Sequence, residues 1–280
     1  MRNYLYAIIG LLIIMFASSC QEKVDFDLNI DENARLVVEG SITDQTKAHE
    51  VILTRTSSYY ENQAAPKETG ATVTIFDGTS YHSLTETSAG VYKTSPTYKG
   101  EVGKTYTLNI TTKNGQNYSS NSKLESVAPI DSVLFYVDIN DAKEESEGSL
   151  IFAHFGSEPK GVGNNYMWLV DINDTSFTED IKDLAFVTDE FVDGNYIAGF
   201  EFQQIEFENL PTGDTLKVTV EMHSISRAYY DFSLAILLET QYNGGLFSGP
   251  PANIPSNISD GGLGFFRASA VSTAYLEIPN

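Results

Sequence analysis

Leu216-Lys217-Val218-Thr219-Val220-Glu221-Met222-His223 alternates apolar and polar residues without a break. Successive side chains of an extended chain point to opposite faces, so Leu216, Val218, Val220 and Met222 share one face and the polar residues the other. This segment is a half-buried β-strand, and strands recur on both sides of it. Leu150 to Phe155, Tyr166 to Ile172 and Ala198 to Phe207 read as strands, and a last one is expected near Tyr275 to Ile278. Val133-Leu134-Phe135-Tyr136-Val137 is continuously apolar, which predicts a strand buried on both faces. Arg227 to Tyr242 breaks the pattern, with Ala228, Tyr229, Phe232, Ala235 and Ile236 at helical spacing. Ser226 is placed to cap its start and Gly244-Gly245 to end it, predicting one helix over about residues 226–242, packed on the sheet of its own domain. A Pro/Gly-rich loop from Leu246 to Gly264 follows.

Toward the amino terminus the strands shorten. Leu36 to Gly40, Glu50 to Thr56, Ala71 to Phe76 and Thr105 to Thr111 are separated by turns at Asp77-Gly78, Gly90, Gly100 and Gly103. Asn114-Gly115 predicts a type I′ hairpin with positive φ at both residues. About seven short strands between Ala34 and Ser126 carry the pattern of a β-sandwich. Val127-Ala128-Pro129-Ile130-Asp131 marks a boundary, because proline removes a ladder donor and restricts the residue before it. The expected fold is mainly β, with two tandem β-sandwich domains. An Ig-like N-terminal sandwich spans 34–127, and a larger C-terminal sandwich carrying the helix spans 130–280.

The first residues set the expected compartment. Arg2 is followed by an uncharged apolar run from Leu5 to Phe16, then by Ala17-Ser18-Ser19-Cys20. The run is shorter than the roughly 18 residues a membrane-spanning helix needs, and the small residues suit signal cleavage. Residues 1–19 are therefore expected to be a signal peptide and 20–33 a polar tether. Cys20 is the only cysteine, so no intramolecular disulfide can form. Its place after three small residues resembles the lipobox of bacterial lipoproteins, with Ala17 where the pattern prefers Leu. That resemblance implies cleavage before Cys20 and lipidation of its sulfur. Two or more acyl chains anchor firmly where one holds marginally.

The formal charge is −21. Nucleic-acid partners, which require clusters of Lys and Arg, are not expected, nor is attachment to an anionic lipid surface by charge. Sixteen Tyr and sixteen Phe against one Trp suit strands and their edges.

Candidate chemistry is sparse. His49, His82, His154 and His223 are scattered, without the spacing of a helical metal site, and no second cysteine completes a zinc set. Val-Asp-Ile-Asn-Asp occurs at 137–141 and 170–174. As an EF-hand counted from Asp171 it fails, with Ser176 at the glycine position and Lys182 at the bidentate glutamate position, so Asn/Asp turns are expected. The acid-dense stretch from Asp171 to Glu208 leaves another kind of calcium site open. Gly261-Gly262-Leu263-Gly264 lacks the flanks of a phosphate loop, and no Gly-x-Ser-x-Gly elbow occurs. No catalytic residue, metal ligand or cofactor is assigned. Tyr59, Tyr60, Tyr92, Tyr98, Tyr166, Trp168 and Tyr242 could form an aromatic platform for sugars or peptides, or serve as core. The first place to look for a binding surface is Leu246 to Phe266, a long loop beside the helix.

Several segments in order resemble a family of Bacteroidota outer-membrane lipoproteins, domain of unknown function 4249. They are Leu36-Val37-Val38-Glu39-Gly40-Ser41-Ile42-Thr43, Gly70 to Ile75, Gly90 to Thr94, Val102 to Leu108, Pro129 to Ser132, Tyr229 to Phe232, and Pro255 to Ile258 with Gly262 to Phe266. The resemblance implies an envelope location and the company of TonB-dependent outer-membrane transporters, and it brings no catalytic or binding residues. Gln21-Glu22-Lys23 matches an acidic surface-export tag only in part, so periplasmic and cell-surface placement are both open. Asp131-Ser132-Val133 and Asp214-Thr215-Leu216 resemble O-glycosylation sites of exported proteins from the same bacteria. The expected function is a non-catalytic lipoprotein, membrane-attached through Cys20, accessory to transporter-mediated uptake or ligand capture. A structural or adhesive surface protein is the alternative. A hydrolase would instead require two carboxylates facing each other across a cleft, about 5 to 9 Å apart.

Overall fold

The computed structural model describes residues 34–57, 64–139, 148–240 and 253–279. Cys20, Tyr59, Tyr60, Gly244-Gly245 and Tyr242 lie outside these residues, as does the end of the first Val-Asp-Ile-Asn-Asp copy. Among the described residues the fold is mainly β with one α-helix.

Among the described residues eight strands precede residue 127: β1 (Leu36–Thr43), β2 (Glu50–Arg55), β3 (Thr72–Phe76), β4 (Tyr81–Ser83), β5 (Thr85–Ser88), β6 (Val91–Lys93), β7 (Thr105–Thr111) and β8 (Asn117–Lys123). Two sheets face each other, β4-β3-β7-β8 and one containing β1-β2-β6-β5. Their inward residues, among them Leu36, Val38, Leu53, Ile75, Leu108 and Ile110, form the first core. Each such side chain contributes about 1.5 to 3 kcal/mol on burial. The Asn114-Gly115 hairpin forms, but Gly115 alone has positive φ (85°), and Thr112 N–H donates to the Gln116 carbonyl at 2.9 Å. The loop is thus three residues with glycine in the left-handed position, rather than type I′.

The second sandwich has β9 (Ser132–Asp138), β10 (Ser149–Ser157), β11 (Asn165–Ile172), β12 (Thr175–Ser176), β13 (Ala185–Thr188), β14 (Tyr196–Glu206) and β15 (Thr215–Ser224). It is completed by β17 (Val271–Pro279). The sheets are β14-β10-β9 and β12-β11-β15-β17, with β13 also on β11. Trp168, Phe152, Val170, Val218, Val220 and Phe202 fill the second core. The alternation that opened the sequence analysis holds, since Leu216, Val218, Val220 and Met222 are all buried.

Three further expectations are corrected. β9 is not buried on both faces: Leu134 and Val137 are 55% and 51% exposed. Among the described residues β9 pairs only with β10, so it is an edge strand, and a continuous apolar run reads the same at an edge as in the middle of a sheet. Next, residues following the Pro/Gly-rich loop do not all serve the second sandwich. β16 (Leu263–Ser269) joins the first, pairing in parallel with β1, and Ile258, Phe266 and Ala268 belong to the first core. Gly264 permits this closeness. Its φ is +87°, and a β-carbon there would overlap the Val38 carbonyl oxygen.

Third, the helix α1 (Arg227–Thr240) is not laid mainly on the sheet of the second sandwich, which it meets through Tyr230 edge-on to Phe186 of β13. It packs on β16 and on the 3-10 turn Ile181–Asp183. It links β15 to β16, and so covers the strand that it leads into. Ser226 caps it as expected, its Oγ accepting from Tyr229 N–H at 3.1 Å.

Candidate functional site

The helix leaves space beneath it. Of its fourteen residues only Ser233 is buried, although Tyr229, Phe232 and Ile236 share its stripe at helical spacing. A helix that seats on a sheet ordinarily buries the apolar residues of that stripe. Here a cavity of about 400 Å³, open to solvent, lies beside the contacts that the helix makes with the sheet. Its floor is the outer face of the first sandwich, with Glu39, Ser41, Glu50 and Ile52 from β1 and β2 and Phe265 and Arg267 from β16. Strand register explains the grouping, because Glu39 stands directly between Phe265 and Ile52. Glu179, Ile181 and Leu184 form a wall from the second sandwich, and the helical stripe forms the roof.

The lining combines rings, carboxylates and hydroxyls. Phe265 meets Tyr229 edge-on and Phe232 at a tilt, both with centroids 5.2 Å apart. Glu50 is paired with Lys93 at 2.9 Å. Glu39 and Glu179 make no ion pair among the described residues. Ser233 is 1% exposed, and its Oγ has no hydrogen-bond partner among the described residues. A buried hydroxyl without a partner costs about 1 to 3 kcal/mol, so such groups are few in native proteins.

Arg267 connects this cavity to a second cluster. Its guanidinium lies 5.4 Å from the centre of the Tyr229 ring, and its Nη1 donates to Ser269 Oγ at 3.0 Å. The same nitrogen is 3.2 Å from His223 Nδ1, while His223 Nε2 is 3.1 Å from Glu221 Oε2. Gln45 Nε2 donates to Glu221 Oε1 at 2.7 Å. A guanidinium can only donate, so His223 Nδ1 accepts and Nε2–H donates to the carboxylate. The ring is therefore neutral, a bridge between a cation and an anion. Burial, with Arg267 adding to it, holds the His223 pKa down at about 4, against the opposing pull of Glu221. Burial alone would raise Glu221, but the hydrogen bonds from His223 and Gln45 outweigh it and bring it to about 2. Gln45 and Arg267 belong to the first sandwich, Glu221 and His223 to the second. Beside them Ser224 Oγ accepts from Ala270 N–H at 2.9 Å and donates to the Glu125 carbonyl at 2.8 Å, so this cluster is the joint.

The other candidates fall elsewhere. His49 is buried, with Nδ1 accepting from Thr43 N–H at 3.3 Å, and burial lowers its pKa. His82 faces Asp77 at 3.2 Å, and both His49 and His82 rest against Tyr98. His154 is buried against Trp168, and burial lowers its pKa to about 4. Tyr92, Tyr166 and Trp168 are buried too, so they are core and not a binding platform. Asn173 and Asp174, at φ 52° and 63°, form the two-residue turn between β11 and β12, which accounts for the second Val-Asp-Ile-Asn-Asp copy. Among the described residues no group of three His, Cys, Asp or Glu is placed to hold a metal ion. Ser132 and Thr215 are exposed at the first positions of β9 and β15.

Of the expected binding loop, Phe265 and its neighbour Arg267 reach the cavity. Glu39, Glu179, Ser233 and Arg267 were not singled out from the sequence. One signal was there to find: Ser233 interrupts the apolar stripe between Tyr229 and Ile236, a polar residue where a packed helix wants carbon. Comparison with curated proteins gave no match. A family model does match, over residues 21–274, and the chain belongs to that family, described as domain of unknown function (DUF4249).

Proposed function

We propose that this chain is a non-catalytic, lipid-anchored protein of the outer membrane that captures a small ligand, as an accessory to a TonB-dependent transporter. The observation that carries the capture is the cavity under α1, walled by apolar side chains and edged by carboxylates. Concave, largely apolar sites with a few convergent polar groups are the usual form of small-molecule sites. The anchor is supported by the signal-like first residues and by Cys20 as the sole cysteine. Three carboxylates border the cavity, yet Glu39 and Glu179 are exposed and Glu50 is paired with lysine. A general acid needs a desolvated carboxyl, so this arrangement favours binding over hydrolysis.

Two measurements test the reading. Cys20→Ala should move the protein from the membrane fraction to the soluble fraction and remove the mass of the acyl chains. A Cys20→Ala protein that stays with membranes at unchanged mass refutes the anchor. The full-length protein, extracted in mild detergent from its own cells, should bring a TonB-dependent transporter with it, and its absence refutes the accessory role.

A further inference from the structure

We infer that the paired loops β10–β11 and β13–β14 form a second contact with the membrane: Phe191 and Val162 enter the edge of a zwitterionic phospholipid bilayer, and Lys160 meets the lipid phosphates. The inference rests on the anchor reading, because the lipid on Cys20 is what keeps the folded body at the bilayer. Its first support is a preformed apolar tip. Phe191 and Val162 are 93% and 76% exposed, so neither side chain holds the core together. Single exposed apolar residues are ordinary, but these two are held on one rigid tip. The Asp193 carboxylate accepts from Gly161 N–H, and the Asp189 carboxylate accepts from Gly163 N–H at 2.9 Å and from Asn164 N–H at 3.0 Å. Val162 lies between the two gripped glycines, and Phe191 between the two gripping aspartates. Asp189 N–H also donates to the Asn164 carbonyl at 3.0 Å, and Glu158 N–H to the Asn195 carbonyl at 3.0 Å. Gly161 and Gly163 stand at φ +130° and +115°, which side chains rarely adopt, so the loop is shaped around the exposed valine. A tip already fixed in this way loses little freedom on entry.

The second support is charge. The whole chain carries −21, yet the acids of this tip are engaged: Asp189 is 1% exposed, Asp193 holds Gly161, and Glu190 pairs with Arg227 at 3.1 Å. Lys160 makes no ion pair among the described residues, and its stem lies over Gly194, which places a cation beside the apolar pair. An apolar tip with a cation at its rim follows the depth order of a bilayer, acyl chains below and phosphates above. The third support is the chain outside the described body. Residues 20–33 separate the anchor from Ala34, and fourteen residues reach at most about 50 Å. A body tethered that closely meets the surface repeatedly, so a tip too weak to bind alone acts as the second arm of a two-point attachment.

The test uses the full-length lipidated chain in vesicles of phosphatidylcholine. Phe191→Trp places an indole at the tip, while the sole native tryptophan, Trp168, is 1% exposed and supplies the blank. In vesicles whose acyl chains carry bromine, emission from the introduced indole should fall at least about twofold. Iodide in the water should quench it several-fold less than it quenches Tyr81→Trp, at a site 69% exposed on the first sandwich. Adding Lys160→Glu should remove at least about half of the bromine quenching, and quenching that is unchanged overturns the phosphate contact. Flotation and acyl mass are measured on the same samples. A chain that floats with its acyl mass, while the Phe191→Trp indole stays open to iodide and untouched by bromine, overturns the tip and leaves the anchor standing. Equal bromine quenching in Phe191→Trp and Tyr81→Trp overturns the assignment to these loops. An indole shielded in native membranes but not in phosphatidylcholine gives the tip to a protein partner and overturns the bilayer. A chain that neither carries acyl mass nor floats removes the anchor, and the inference with it.

Discussion

Acid should loosen the joint between the two sandwiches, and His223 sets how much. The unfolded chain takes up a proton on this histidine near its ordinary pKa of 6.5, and the folded protein does not until about pH 4. Between those values the unfolded state binds more protons, so stability falls as the pH falls. The contribution is present in full above about pH 6.5 and is lost by about pH 4, the direction expected for a depressed pKa. At roughly 1.4 kcal/mol per pH unit the whole effect is about 3 kcal/mol, most of it gone by about pH 4.5. Glu221 acts in the same direction but lower, between its ordinary 4.5 and about 2, so the two windows separate. His223→Gln isolates the effect, because the amide accepts from Arg267 and donates to Glu221 but cannot take up the proton. Urea unfolding of both proteins at about pH 7.5 and about pH 4.5 gives the comparison. The variant should lose about 2 to 3 kcal/mol less than the parent over this range. Contributions from His154 and His49, depressed by their own burial, are common to both proteins and cancel in the difference. Equal losses in parent and variant would refute the neutral bridge.

Three further outcomes follow from particular residues, each measured as a change in unfolding free energy by urea titration. Gly264→Ala should cost about 3 kcal/mol or more, since a β-carbon at φ +87° meets the Val38 carbonyl; a cost under about 1 kcal/mol would show that β16 does not lie this close to β1. Ser226→Ala should cost about 1 kcal/mol by removing the acceptor for Tyr229 N–H, and Ser226→Asp should restore most of it. Leu134→Lys should change stability by no more than about 0.5 kcal/mol because β9 is an open edge, whereas Phe152→Ala, buried in the neighbouring strand, should cost about 3 to 5 kcal/mol.

What could be read from sequence is what depends on near neighbours. The alternation in β15, the serine cap of α1 and the turn at Asn173-Asp174 are decided within a few residues, and each was legible. The burial of β9 was not, since Val133 to Val137 carries the same letters whether one partner strand or two flank it. The partner of α1 was not legible either. Periodicity tells a helix which face to bury but not which sheet will receive it, and the receiving strand, β16, lay hidden in a stretch that opens with Pro255 and Gly261-Gly262. The cavity needs residues from β1, β2, β16, α1 and the turn at Ile181, separated by up to more than two hundred positions, so no local motif marks it.

The return of the chain to the first sandwich gives these pieces a common cause. After β15 the helix carries the chain back across the joint, β16 pairs with β1, and β17 then returns to β15. One excursion therefore supplies the strand that floors the cavity and the helix that roofs it. It also supplies Arg267, which holds His223 on one side and lies against Tyr229 on the other. Since the floor belongs to the first sandwich and the Glu179–Leu184 wall to the second, the width of the cavity is fixed by the joint. Had α1 packed on its own domain's sheet, as its periodicity alone allowed, the cavity and the joint would share no residue. The observed crossing places the one arginine in both, so the neutral ring of His223 that accepts from Arg267 at the joint also helps to hold that guanidinium against Tyr229 at the cavity.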